Sequence, residues 1–211
     1  MPHKNMVIFF IVFFFLVLSQ TSDVFATSLI VHTDKTQYEY GDHLTIIFKA
    51  SEIKDKSLSF QIRDNEGKSS PSPLVEIHQL KTEITAPVPF YSNIWKPGTY
   101  YIDASYAGSS STASFSIIDS GKIAIPYWVK DIIGSWSEGQ YADKDCARQI
   151  KYLVDENIIS IPELKNQPEH ADAKIPSWVK NNAKWWIANQ ITDTDFALGI
   201  QYLLKTGIIV V

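Results

Sequence analysis

Ile175-Pro-Ser-Trp-Val-Lys180 repeats, about 50 residues later, the stretch Ile125-Pro-Tyr-Trp-Val-Lys130. The echo continues in register through Trp136/Trp186, Gln140/Gln190, Asp143/Asp193, Asp145/Asp195, Ala147/Ala197, Ile150/Ile200, Tyr152/Tyr202 and Leu153/Leu203 to Ile158-Ile159/Ile208-Ile209. A fixed period held without a gap marks a duplicated structural unit, not chance composition. A pair of units presents surfaces, and surfaces suggest binding before catalysis.

Within each unit the apolar period is helical. Val179, Ala183, Trp186 and Gln190 share one face of a first helix, as do Val129, Ile133, Trp136 and Gln140. Pro176 stands where a first-turn proline is tolerated, and Ser177 to Asn189 contains no helix breaker. A restart follows, with Asp193 expected as N-cap and Asp195 adding negative charge at the positive helix end. Phe196, Ile200 and Leu203 form a second apolar stripe. Gly207, and Asn157 in the first unit, suit the left-handed residue that closes a helix. Residues 125–159 and 175–211 are therefore expected as two helix-turn-helix units, joined by a polar segment at 160–174 that contains Pro162 and Pro168.

Upstream the period is that of β-structure. Leu29–Val31, His43–Phe48, Leu58–Ile62, Val75–Ile77, Tyr100–Tyr106 and Ala113–Ile117 are short alternating or β-branched runs. Turn signals at Tyr40-Gly-Asp42, Asp64-Asn-Glu-Gly67, Lys96-Pro-Gly98 and Gly108-Ser109 separate them. This spacing predicts an antiparallel sandwich over 28–119, followed by a short linker at 120–124. Tyr100 or Tyr101 is the expected corner tyrosine, its hydroxyl bonded to upstream backbone.

Asp34-Lys-Thr-Gln-Tyr38-Glu-Tyr-Gly41-Asp42, Ile62-Arg-Asp64-Asn-Glu-Gly67 and Trp95-Lys-Pro97-Gly98-Thr-Tyr100 together resemble the immunoglobulin-like or macroglobulin-like β-domains of secreted prokaryotic surface proteins. The resemblance covers about Ser28 to Ile118 and implies a spacer or a ligand-binding module; fold alone does not choose between them. The tandem pattern I-P-x-W-V-K…W…D…G-I-Q-Y-L…G-I-I resembles a short helical repeat of secreted proteins of ammonia-oxidising archaea, often adjacent to Ig-like domains. The second unit fits it closely. The first departs at Cys146 for Phe196, Gln149 for Gly199 and Asn157 for Gly207, so a less regular copy is expected.

The first 26 residues read as a secretory signal. Lys4 supplies positive charge, Met6 to Leu18 is an apolar run, and Val24-Phe25-Ala26 is a small-residue cleavage pattern. The run is short for a bilayer span, which needs roughly 20 apolar residues. An uncleaved anchor is the alternative, and only that would bring a membrane. An exported, extracellular or cell-surface protein is expected. Its 211 residues allow one mid-sized domain and a smaller one. A net charge of −4, with no basic run, argues against a nucleic-acid partner.

Candidate sites divide by chemistry. Trp128, Trp136, Trp178 and Trp186 occur in both units and are expected as repeat core, together with Phe196, Ile200 and Leu203. Trp185 aligns with Ser135, so the fold does not require it, and it is the foremost candidate for an exposed contact. Lys180, Asn181, Lys184 and Asn189 complete the expected polar binding face. The aspartate pairs 143/145 and 193/195 suit helix capping better than calcium, because neither copy has a D-x-D-x-D-G loop. His32, His43, His78 and His170 are scattered singly, and no CxxC or HExxH spacing suggests zinc. Cys146 is the sole cysteine and is expected as a small buried hydrophobe. No cofactor and no catalytic residue is assigned.

The expected function is a non-catalytic surface module that binds an envelope component or another surface protein. A hydrolase acting on envelope polymer and a repeat-mediated oligomerisation module are the alternatives.

Overall fold

A computed structural model describes residues 27–55, 57–161 and 175–209. The expected signal segment and most of the segment between the helical units lie outside these residues.

The N-terminal part is two sheets face to face. β1 (Leu29–Thr33), β3 (Thr45–Ala50) and β6 (Lys81–Thr85) form one, in the order β1-β3-β6. The other holds β2 (Gln37–Glu39), β4 (Ser57–Asp64), β5 (Leu74–Glu76), β7 (Gly98–Tyr106) and β8 (Ser109–Ile118), in the order β2-β8-β7-β4-β5. The first strand region switches sheets: β1 pairs antiparallel with β3, whereas β2 pairs parallel with β8. This is an Ig-like β-sandwich with one parallel pairing that alternation cannot reveal. β2 and β6 also escaped the sequence reading. β2 is three residues long, and β6, Lys-Thr-Glu-Ile-Thr, carries the charges that keep an edge strand from further pairing.

Strand β7 shows why this part folds. Tyr100, Ile102, Ala104 and Tyr106 alternate inward and are all buried. Tyr38, Phe90, Trp95, Tyr100 and Phe115 pack ring to ring, with centroids 5.1–5.8 Å apart. Of the two corner candidates it is Tyr100 that serves. Its hydroxyl donates to the Lys96 carbonyl at 2.8 Å and accepts from the Lys96 N–H at 3.1 Å. Tyr101 instead lies under the Arg63 guanidinium, 4.2 Å from the ring centroid.

The C-terminal part is α1 (Tyr127–Ser137), α2 (Asp143–Asp155), α3 (Val179–Ile187) and α4 (Asp193–Lys205). The helix ends recur with the period of the sequence. Gly139 and Asn189 close α1 and α3 with positive φ, and Asn157 and Gly207 close α2 and α4. After α2 and α4 the chain turns back, with Ile158 N–H on Leu153 O and Ile208 N–H on Leu203 O.

The two parts are joined by more than a tether. Residues 120–124, expected as a linker, are seated. The Lys122 ammonium pairs with Glu39, and Ala124 is buried in the sandwich core. Ile123 N–H donates to Thr194 Oγ1 at 3.0 Å. From the sandwich, the Tyr91 hydroxyl lies near the backbone of Tyr127 and the Asn93 side chain near the Tyr152 hydroxyl.

Candidate functional site

The two helix pairs share one core. Val129, Ile133, Trp136, Ile150 and Leu153 lie in a single buried cluster with Val179, Ala183, Trp186, Ile200 and Leu203. Trp136 and Trp186 are each wholly enclosed.

What joins the pairs is a reciprocal lock built on one aspartate from each. Asp143 Oδ1 accepts the Trp136 indole N–H at 2.9 Å, and its Oδ2 accepts the backbone N–H of Ile175 at 3.2 Å. Asp193 Oδ1 accepts the Trp186 indole N–H at 2.8 Å, and its Oδ2 accepts the backbone N–H of Ile125 at 2.8 Å. Each carboxylate thus satisfies the tryptophan of its own pair and the first residue of the other. Both sit in the first turn of a helix, where the helix dipole favours negative charge. Lysines repeat the exchange. Lys130 Nζ lies 5.1 Å from the Trp186 ring and Lys180 Nζ lies 5.1 Å from the Trp136 ring.

This geometry corrects the expected role of Asp193. The N-cap of α4 is Thr192, whose Oγ1 accepts from Asp195 N–H at 3.1 Å, while Asp195 accepts from Thr192 N–H at 2.9 Å. In α2 the cap position is Ala142, which has no side-chain oxygen, so only the return bond from Ala142 N–H to Asp145 survives, at 3.2 Å. Capping therefore belongs to Asp145 and Asp195. The spacing from Trp136 to Asp143 and from Trp186 to Asp193 was the available sign of the lock.

The candidate binding residues divide. Lys180 and Asn189 are drawn into the joint between the pairs: Lys180 covers Trp136, and Asn189 Oδ1 accepts from Lys130 Nζ at 2.9 Å. Asn181, Lys184 and Trp185 are exposed on α3, with Trp185 51% accessible. Trp178, expected in the core, is 49% accessible and lies outside the buried cluster. Its counterpart Trp128 is half-buried against Tyr152, with ring centroids 4.6 Å apart. The difference comes from outside the helices, because Tyr152 meets Asn93 of the sandwich whereas its counterpart Tyr202 is 62% accessible. Phe196, Ile200 and Leu203 are buried, and Phe196 stacks on Trp186 at 4.1 Å.

Other groups are accounted for structurally. Cys146 is enclosed, and burial pushes its thiol up to about 12, which keeps the free thiol protonated at neutral pH. Asp103 is held below the usual carboxylate range, chiefly by Arg63 at 2.7 Å and also by Thr112. Among the described residues no three His, Cys, Asp or Glu side chains gather as metal ligands. A shallow concavity of about 560 Å³ at one end of the sandwich is lined by Asp64, Glu66, Lys68, Trp95, Lys96 and Tyr100 among others. No helix among the described residues is long and apolar enough to cross a membrane.

No family model matches the chain, and no curated protein matches it. Solved structures similar to part of it include titin kinase and its flanking domains, at 11% identity and a TM-score of 0.31 over 44% of this chain. The chain covers only 17% of that structure's length. Two single domains are similar over 45% and 43% of the chain: the M1 domain from titin, at 12% identity and TM-score 0.27, and the Dscam1 Ig7 domain, at 8% identity and TM-score 0.27. The chain covers 93% and 96% of these domains respectively.

Proposed function

We propose that this protein is an exported, non-catalytic surface module in which an Ig-like domain carries a pair of helical repeats that dock on an envelope component. The observation that carries this is the outer face of α3. Trp178 and Trp185 stand about half exposed beside Asn181, although neither exposure is needed for the helical core. Tryptophan left in water on an otherwise well-packed unit marks a contact surface. The seated 120–124 segment and the Asn93–Tyr152 contact support a spacer role, because they orient the helical pair on the sandwich. The N-terminal pattern Lys4, Met6–Leu18 and Val24-Phe25-Ala26 supports export.

The test is surface labelling of intact cells with a membrane-impermeant amine reagent, followed by sequencing of the protein's N-terminus. Labelling of the protein with a cytosolic control unlabelled, and a chain beginning near Thr27, are the expected results. A protein labelled only after lysis would contradict the reading.

A further inference from the structure

Gly134 lies inside α1, where glycine is destabilising relative to alanine because it gives up more backbone freedom. The neighbouring unit supplies the reason for it. A Cβ at this position would lie 3.3 Å from Ile187 Cδ1 and 3.4 Å from Ile187 Cγ1. The bare backbone of α1 is what lets the isoleucine of α3 come in.

The repeat register puts Lys184 where the first unit has Gly134, and Ser137 where the second has Ile187. The joint is reciprocal in its aspartates and in its lysines, so the same exchange sets Ser137 against position 184. Ser137 is buried, and its hydroxyl donates to the Gly134 carbonyl at 2.7 Å, so it asks no polar partner of the other unit. A lysine can lay its methylene stem on such a face and keep its ammonium in water, and Lys184 is exposed. At both opposed places the first unit is therefore small and the second large. Deeper in the shared core the units differ again, with Ile133 for Ala183 and Cys146 for Phe196, all four buried. Each copy is large where the other is small.

We propose that the joint is an unlike-pair interface, in which the Gly134 and Ser137 face of the first unit accepts a unit bearing Lys184 and Ile187 and rejects another of its own kind. Two first-type faces would leave a hollow at both contacts, and a hollow in a core costs stability. Two second-type faces would drive a lysine stem and an isoleucine into the same space twice. The first unit's partner is thus the second unit, and the faces that hold them together do not serve like-with-like assembly of copies. This goes beyond the surface-module reading and is independent of where the protein resides.

The test is thermal unfolding and hydrogen exchange of the full chain in three variants. Gly134→Lys with Ser137→Ile gives bulk to both faces. Lys184→Gly with Ile187→Ser removes it from both. All four substitutions together hand the bulk from the second unit to the first, and one helical glycine is traded for another. Each double variant should lower the thermal midpoint and speed exchange in α1 and α3 by about tenfold or more, the scale of an overfilled or emptied core contact. The quadruple variant should recover most of the wild-type midpoint and protection. Gly134→Ala keeps the test decisive where a double variant does not fold: it should lower the midpoint on its own and raise it when combined with Ile187→Ser. A quadruple variant as unstable as its two halves added together, or Gly134→Ala acting with the same sign in both backgrounds, overturns the proposal.

Discussion

The two helical units are nearly one unit inside and two different units outside. Trp136 and Trp186 are equally enclosed, and Asp143 and Asp193 make the same pair of bonds. Trp128 and Trp178, by contrast, are the same residue in two environments, one half-buried against Tyr152 and one half exposed. A shared residue is therefore not evidence of a shared role. What neighbours a position decides whether its tryptophan serves the core or the surface.

The interior likeness breaks most severely at its largest side chain. Trp186→Ala should cost about 3–5 kcal/mol, since it opens a cavity between Phe196 and the first unit. It also leaves Asp193 without its indole partner. Chemical denaturation should show loss of helical signal in both units together, with a clearly lower midpoint.

A smaller effect sharpens the one interior difference. Cys146 stands where the second unit has Phe196, yet it is fully enclosed, so its surroundings have closed around the smaller side chain. Cys146→Phe, though it makes the copies more alike, should destabilise by about 1–3 kcal/mol through overpacking. A gain in stability would mean that the first unit retains unused space.

The sandwich gives a comparison outside the helices. Tyr100→Phe removes the corner hydroxyl and should cost about 1 kcal/mol. Burial, together with its Asp34 hydrogen bond, raises the Tyr38 phenol to about 12 in the folded chain. That contribution is complete below pH 10 and is lost as pH rises toward 12, because the unfolded chain releases the proton first. The thermal midpoint should fall over that interval.

The smallest effect on stability is expected at the surface. Trp185→Ser should change it by no more than about 0.5 kcal/mol. A larger loss would move Trp185 from contact residue to structural residue.

The helical part and the sandwich were legible because each rests on local periodicity. The left-handed positions Asn157 and Gly207 were legible for the same reason: only a few residue types tolerate that backbone. The parallel β2–β8 pairing was not, because three residues carry no register signal. The lock at Asp143 and Asp193 was hidden by a competing local explanation. An aspartate at a helix start reads as a cap until the fold shows Thr192 and Asp195 already performing that task. The exposure of Trp178 was hidden for a different reason, since Trp128 packs on Tyr152 whereas Tyr202, the counterpart of Tyr152, is exposed, and a repeat in sequence does not show such differences in surroundings.

The central claim is that Asp143 and Asp193 weld the two helix pairs into one cooperative body. Hydrogen exchange on Asp143→Ala tests it most directly. The substitution leaves the Trp136 indole and the Ile175 N–H without acceptors, at about 1–3 kcal/mol for each donor that stays buried. The account predicts faster exchange in α3 and α4 as well as in α1 and α2, by a similar factor. Faster exchange confined to α1 and α2, with α3 and α4 as protected as in the wild type, would contradict it.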